Sequence, residues 1–300
     1  GTTWLTLGAK LEDYSLGDPE FLPNLRLLWL PVANTTLWGG VARAVRTPSQ
    51  GETRASVDLL VSPPLSSSNP GVLPVVLRQQ ANPLMQSEDL IAWELGARWQ
   101  QSESLTFDIT YFLNRYDNLR ISQLGAPQLA SPATHLVQSL PIVNGVEGDI
   151  YGIELATDWR VRENWRLQLA LSSLRADLSL LPNINLPPSS VIADEKGTPE
   201  HTVSLRSSWS PQPNVDVDVW LRYTADVPIA SPVSAFFGSN PIDDFTSLDT
   251  HIAWRPRANL ELSLIGKNLL DEHHPEAEAE VWSTRGEVPR SLQVGLKFDF

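Results

Sequence analysis

In twelve stretches of this chain apolar and polar residues alternate one by one, and this pattern constrains the fold more than any other feature. In the last ten residues Leu292, Val294, Leu296, Phe298 and Phe300 fall on one face, and Ser291, Gln293, Gly295, Lys297 and Asp299 on the other. The segment 215–223 sets Val215, Val217, Val219, Leu221 and Tyr223 against Asp216, Asp218, Trp220 and Arg222. In 151–161, Tyr151, Ile153, Leu155, Trp159 and Val161 stand against Glu154, Asp158 and Arg160. Period two is the signature of a strand with two unlike faces. The segments are 3–14, 22–30, 36–46, 91–100, 104–116, 149–161, 165–178, 201–210, 214–224, 246–254, 259–268 and 290–300. Most run about 9–13 residues, enough for a tilted strand to cross a bilayer, whereas soluble-sheet strands average about five or six.

The connections alternate in length. Short ones follow Leu30, Gln100, Val161, Ser210 and Trp254; long ones lie near 15–21, 47–90, 117–148, 179–200, 225–245 and 269–289. Up-and-down membrane barrels have this rhythm, with short periplasmic turns and long outer loops. Tryptophan marks the short turns. Trp99, Trp159, Trp209 and Trp254 each stand six residues before Leu105, Trp165, Val215 and Leu260, and Trp29 precedes the fifth turn. An indole has an apolar body and one polar N–H, so a row of them at one rim reads as a headgroup-level girdle. The fold class expected is therefore an all-β, antiparallel, up-and-down transmembrane barrel.

The six-residue spacing places Trp209 opposite Val215, so Arg206 faces Asp218. By the same arithmetic Asp158 faces Arg166, and Arg98 is diagonal to Asp108. Opposed charges on one face support pairing modestly. All six are expected to point into the lumen, with their apolar neighbours toward lipid, where only a closed sheet satisfies the backbone.

Composition excludes several classes. There is no cysteine, which removes thiol catalysis, cysteine zinc sites and disulfides. A net charge of −13 argues against nucleic-acid binding. No apolar run reaches about 18 residues, so no membrane-spanning helix is expected. With 24 prolines and 17 glycines, long helices are disfavoured.

Short blocks then resemble one known family, the TonB-dependent outer-membrane receptors. Arg46-Thr47-Pro48-Ser49, after the strand Leu37–Val41, resembles its R-x-P-S strand end. Asn82-Pro83-Leu84 with Glu88, Glu94, Leu95 and Gly96 resembles N-P-x-L-x-x-E … E-L-G. Tyr116-Asp117-Asn118-Leu119, Asn144 with Gly152-Ile153-Glu154, Gly266–Asp271, and Arg290 with Phe300 resemble the later blocks in the family's order. The resemblance implies a barrel of about 22 strands enclosing an N-terminal plug, and import of scarce nutrients such as ferric siderophores, haem or cobalamin. It also implies energy relayed from the TonB complex through the plug. This chain then reads as the C-terminal half, lacking plug and TonB box, as one barrel unit over 1–300. Its enlarged outer loop at 47–90 carries short strands at 56–61 and 72–78. Terminal Phe300 resembles the signal read by the barrel-assembly machinery.

Catalytic motifs are not found: no H-E-x-x-H, G-x-S-x-G or glycine-rich phosphate loop occurs. Asp271-Glu272-His273-His274-Pro275-Glu276 has metal-ligating residue types, but an acidic outer loop is the simpler account. Asp216 and Asp218 share a face as glycosidase carboxylates might, yet sit beside a short turn, where lumen lining accounts for them. Ser68-Asn69 and Ser239-Asn240 carry phospholipase-like residue types without a matching histidine. No cofactor, metal or catalytic residue is expected. Phe236, Phe237, Trp282 and Arg285, in outer loops, are the expected ligand contacts, because rings stack on planar ligands and arginine pairs with anions. Expected partners are outer-membrane lipid and lipopolysaccharide, the chain's own plug, the TonB complex and the assembly machinery. An iron-chelate receptor of the bacterial outer membrane is the function expected. Its rivals are a self-contained 12-strand porin or hydrolase and a soluble lectin-like β protein. In a half-barrel the strands at 3–14 and 290–300 would be open edges.

Overall fold

The structure, a computed structural model, describes residues 1–15, 17–184, 186, 191, 195–228, 241–277 and 286–299. Its elements are β1 (Thr2–Glu12), β2 (Glu20–Val32), β3 (Thr35–Arg46), α1 (Gln50–Arg54), β4 (Val57–Ser62), β5 (Val75–Gln80), β6 (Glu88–Ser102), β7 (Leu105–Ser122), β8 (Gln128–Leu129), β9 (Leu136–Arg162), β10 (Trp165–Leu180), β11 (His201–Gln212), β12 (Val215–Thr224), β13 (Phe245–Arg257), β14 (Leu260–Lys267), β15 (His273–Ala277), β16 (Gly286–Pro289) and β17 (Ser291–Phe298). Twelve strands form one antiparallel path, β1-β2-β3-β6-β7-β9-β10-β11-β12-β13-β14-β17, one for each expected segment. Among the described residues β1 is bonded only to β2, and β17 only to β14. The two short strands expected in the enlarged connection are β4 and β5, which pair with each other, while β5 also runs parallel to the start of β9.

The five short turns share one build. Each has two residues, Ala33-Asn34, Glu103-Ser104, Glu163-Asn164, Pro213-Asn214 and Ala258-Asn259, with a register shift just beyond it. The carbonyl of the second turn residue accepts a hydrogen bond from the next hairpin: Gln100 N to Asn34 (2.8 Å), Arg160 N to Ser104 (2.7 Å), Ser210 N to Asn164 (2.8 Å), Arg255 N to Asn214 (2.8 Å) and Asp299 N to Asn259 (3.0 Å). The donor always follows a ring, in turn Trp99, Trp159, Trp209, Trp254 and Phe298. The girdle therefore has a sixth member, Phe298, opposite Leu260 just as Trp254 is opposite Val215.

This build corrects the expected register. Strands continue past the tryptophan to a tight turn, so Trp209 lies opposite Val217, not Val215. Arg98 is then directly across from Asp108, whereas Arg206 and Arg166 are diagonal to Asp218 and Asp158. A shift of two keeps every side chain on its face, so the faces read from the sequence stand. Between successive girdle rings the register steps by two residues: Trp99 lies opposite Phe107, and Leu105 opposite Trp159. Two residues along a strand is about 6.6 Å and two strands across is about 9.6 Å, a tilt of about 35°. At that tilt, within the range of membrane barrels, the rings lie level.

The connection expected over 117–148 is largely strand. β7 continues to Ser122, and β9 begins at Leu136 and runs 27 residues. Alternation fails there because the ladder shifts at Asn118, whose φ is 58°, and because Gly148, at φ 154°, packs against the Asp177 carbonyl.

A cluster of buried apolar side chains sits at this extension. Val146, Leu178 and Val191 form a small core with Leu119, Ile121, Ala176 and Leu180 packed on it. On the wall, Leu95 is 64 % exposed and Val294 83 % exposed. An uncovered apolar face across twelve strands demands a non-aqueous neighbour. Single-tryptophan variants retaining Trp99, Trp159 or Trp209 will be quenched more strongly by lipids brominated near the headgroup than by lipids brominated at the chain end. Stronger quenching from the chain end would place the girdle elsewhere.

Candidate functional site: the polar face and the outer connections

The polar face carries a lattice of ion pairs between neighbouring strands, one directly across and the others on the diagonal. Arg98 Nε lies 2.9 Å from Asp108, Arg206 Nη2 3.3 Å from Asp218, and Arg166 pairs with Asp158. The structure brings these three expected pairs together. It adds Arg222 on Asp249 (2.6 Å) and Arg255 bridging Asp216 (2.7 Å) and Glu261 (2.8 Å). All stand in water-accessible surroundings, so each contributes on the order of 0–1 kcal/mol. Asp216 and Asp218 are engaged separately, Asp216 by Ser210 and Arg255 and Asp218 by Ser208 and Arg206. Neither carboxylate is held for acid–base work on the other.

Two tryptophans on this face were given no site role by the sequence reading. Trp38 Nε1 donates to Glu94 (2.7 Å) and Trp220 Nε1 to Ser204 (2.7 Å), while the Arg222 guanidinium lies 4.3 Å over the Trp220 ring. Their signal was parity: Trp220 falls in phase with Asp216, Asp218 and Arg222, and Trp38 with Arg46 though not with Arg43. A depression of about 410 Å³ opens on this face, lined by Asp108, Glu154, Ala156, Ala170, Trp220 and Arg222 among others.

Above the wall, α1 and the segment before β6 are pinned by one acid. Ser49 caps α1, accepting from Glu52 N (3.2 Å), and the Glu52 carboxylate accepts from Ser49 N (2.7 Å), a capping box. That carboxylate, nearly enclosed, also binds Arg46 Nη2 (3.0 Å) and Arg120. Burial alone would raise the Glu52 pKa; the bonds from Arg46, Ser49 and Arg120 outweigh it and hold it at about 2. Arg46 reaches Glu88 at 2.6 Å as well. Asn144 accepts from Gln86 N (2.8 Å) and donates to the carbonyl of Asn118 (2.6 Å), and Asn82 Nδ2 donates to that of Ile142 (3.0 Å). Four sequence blocks scattered over 46–144 thus meet in one cluster.

The histidine-rich block builds a hairpin, β15–β16. His273 turns to Glu287 (3.1 Å), while buried His274 stacks on Phe245 (centroids 4.1 Å apart) with Nε2 3.2 Å from Glu276. The two imidazoles diverge, as adjacent strand residues must. Asn268, fully buried at φ 49°, ties this hairpin to the wall: its N–H donates to Asp249 (2.9 Å) and its Nδ2 to the Val288 carbonyl (3.0 Å). Asn69 organises its own loop, donating to the Leu73 carbonyl at 2.8 Å. Phe236, Phe237, Trp282, Arg285, Phe300 and the Ser239-Asn240 pair lie outside the described residues.

A tilted antiparallel wall with one apolar face, one ion-paired face and an aromatic rim defines the class: a membrane-spanning β-barrel. The profile of the TonB dependent receptor-like, beta-barrel family matches residues 1–269, and the chain belongs to that family. It is a family of outer-membrane receptors and transporters rather than of enzymes. No curated protein sequence matches the chain. Among solved structures, the chain is similar to the siderophore receptor PirA from Acinetobacter baumannii (TM-score 0.69, 15 % identity, 99 % of this chain and 43 % of that one). It is likewise similar to a mutant of the ferric enterobactin receptor PfeA from Pseudomonas aeruginosa (0.66, 17 %, 99 % and 43 %). A third is the FrpB iron transporter from Neisseria meningitidis (0.61, 15 %, 94 % and 40 %). The chain spans less than half the length of these structures, and at such identity the likeness is one of fold.

Proposed function

We propose that this chain forms part of the wall and outer loops of an outer-membrane receptor that imports a scarce nutrient, an iron chelate of the siderophore type, in TonB-dependent fashion. The observation that carries the reading is the family match over a wall whose faces are sorted for lipid and water. The names of three structural neighbours, all siderophore or iron receptors and transporters, support the cargo. In this reading residues 1–300 act as one barrel unit, with 47–90 as an outer loop. The polar face, with Arg98, Asp108, Asp158, Arg166, Arg206 and Asp218, lines a lumen that seats the protein's plug, and TonB acts through that plug. Phe236, Phe237, Trp282 and Arg285 contact the ligand. Phe300 is read by the assembly machinery, and lipopolysaccharide surrounds the outer rim. The chain does no covalent chemistry. The free edges of β1 and β17 argue against a self-contained 12-strand porin or hydrolase, because a closed barrel needs its end strands paired.

The test is uptake of radiolabelled iron chelates by a deletion strain carrying the full-length gene or an empty vector under iron limitation. Restored uptake of at least one chelate, abolished by a protonophore, is expected. Equal uptake with and without the gene for every chelate would remove the iron reading.

A further inference from the structure

The apolar face of the wall ends in a band of charge that runs from Arg43 on β3 across β6, β7, β9 and β10. On β6 the outward residues run Trp99, Ala97, Leu95, Trp93, Ile91 and then Asp89; on β9 they run Trp159, Thr157, Leu155, Ile153, Tyr151 and then Asp149. On β7 Leu113 gives way to Arg115 and Asp117, and on β10 Ser173 to Arg175 and Asp177. Ten residues from the girdle is about 27 Å of height at a tilt of about 35°, just past the apolar band of about 25 Å that outer-membrane barrels present to lipid.

The chemistry of the band is only partly satisfied from within. Asp89 stands directly opposite Asp117, and Asp149 directly opposite Asp177. Like charges in facing positions cost stability unless a cation intervenes. Arg43 reaches up to Asp89, and Arg115 Nε bonds Asp149 at 3.0 Å. Among the described residues the side chains of Asp117, Asp177 and the exposed Arg175 make no hydrogen bond or close ion pair, and Asp117 acts on Arg115 only through its charge. Arg115 is itself 57 % exposed, with donors to spare. Guanidinium groups alternating with bare carboxylates complement a layer in which phosphates alternate with divalent counter-ions.

We propose that this outward band on β6–β10 is a docking site for the phosphorylated headgroup of an outer-leaflet glycolipid. Arg115 and Arg175 hold its phosphates, and Asp117 and Asp177 face its divalent counter-ions. The occupant follows from continuity: these side chains extend the same face that carries Leu95 and Leu155, so the molecule covering the apolar rows presents its headgroup here. The proposal rests on the membrane-wall reading and gives that reading a preferred lipid on one sector.

The experiment uses the full-length protein folded into vesicles, then extracted into mild detergent. It is titrated by native mass spectrometry with lipid A carrying both phosphates and with the same lipid dephosphorylated. Wild type will bind the phosphorylated form in preference, and Arg115→Gln/Arg175→Gln will weaken that binding about tenfold or more. Arg257→Gln, at the opposite rim, will match wild type. Equal binding by the double variant, or no preference of wild type for phosphate, overturns the proposal. Failure of wild type to insert into vesicles would overturn the wall reading itself, and is seen before any lipid is titrated.

Discussion

Leu155→Lys will prevent the full-length protein from folding in lipid vesicles, while Glu154→Lys, one residue away, will leave folding intact. Leu155 lies four residues from the girdle ring Trp159, about 11 Å above it and so near mid-bilayer. Its face has no protein over it. A lysine there costs about 2–4 kcal/mol, a large part of the stability of most folded chains. Glu154 lies on the opposite face, between Thr110 and Ser172, and its side chain has no bonded partner among the described residues, so its replacement meets water. Folding is read by heat-modifiable electrophoretic migration and by urea titration in vesicles. Should the Glu154 variant be the more damaged of the two, the assignment of faces would be reversed and the membrane reading with it.

Glu52→Ala will loosen the segment between β3 and β6 without unfolding the wall. It removes the carboxylate half of the capping box, leaves Arg120 without its partner and leaves Arg46 to Glu88 alone. Arg46 and Arg120 are each about half in water, which tempers the loss to roughly 1–3 kcal/mol, felt locally. Hydrogen exchange over 47–87 will accelerate by about tenfold or more, and β11–β14 will be unchanged. The same bonds predict a pH response. The Glu52 pKa falls from 4.5 to about 2 on folding, so its stabilisation is complete above 4.5 and fades as pH drops through 2. In wild type, protection of 47–87, corrected for intrinsic exchange, will decline across that window; in Glu52→Gln only the smaller part owed to Glu88, whose burial is outweighed by bonds to Arg46 that lower its pKa, will remain. A decline of the same size in Glu52→Gln would assign the effect to other groups.

The strands were legible because alternation needs only a residue and its two neighbours. Faces were legible for the same reason, and they survived a register error of two. That register depended on how closely each hairpin turns, and the extra residue beside each turn leaves no mark in an apolar–polar pattern. Above the bilayer the signal faded, since the β7–β9 ladder shifts beside Asn118. The cluster at Glu52 was invisible as a cluster. Arg46, Glu88, Asn118 and Asn144 were each noticed in separate blocks, but only folding brings together positions nearly a hundred residues apart. His274 has a ligating side chain and acidic neighbours, and the sequence does not show that its ring is taken up by Phe245.

The repeated short turn sets a rule for the whole rim. Each one fastens its own hairpin and, through the carbonyl of its second residue, the strand that follows. Adding or deleting a single residue in any of the five would put the next strand out of phase, turning its grease toward water and its charge toward oil. The mistake would not stay local, because the following strand takes its position from the same carbonyl. Length at these turns is therefore far less free to vary than residue identity, and loop grafts or tags belong on the opposite rim.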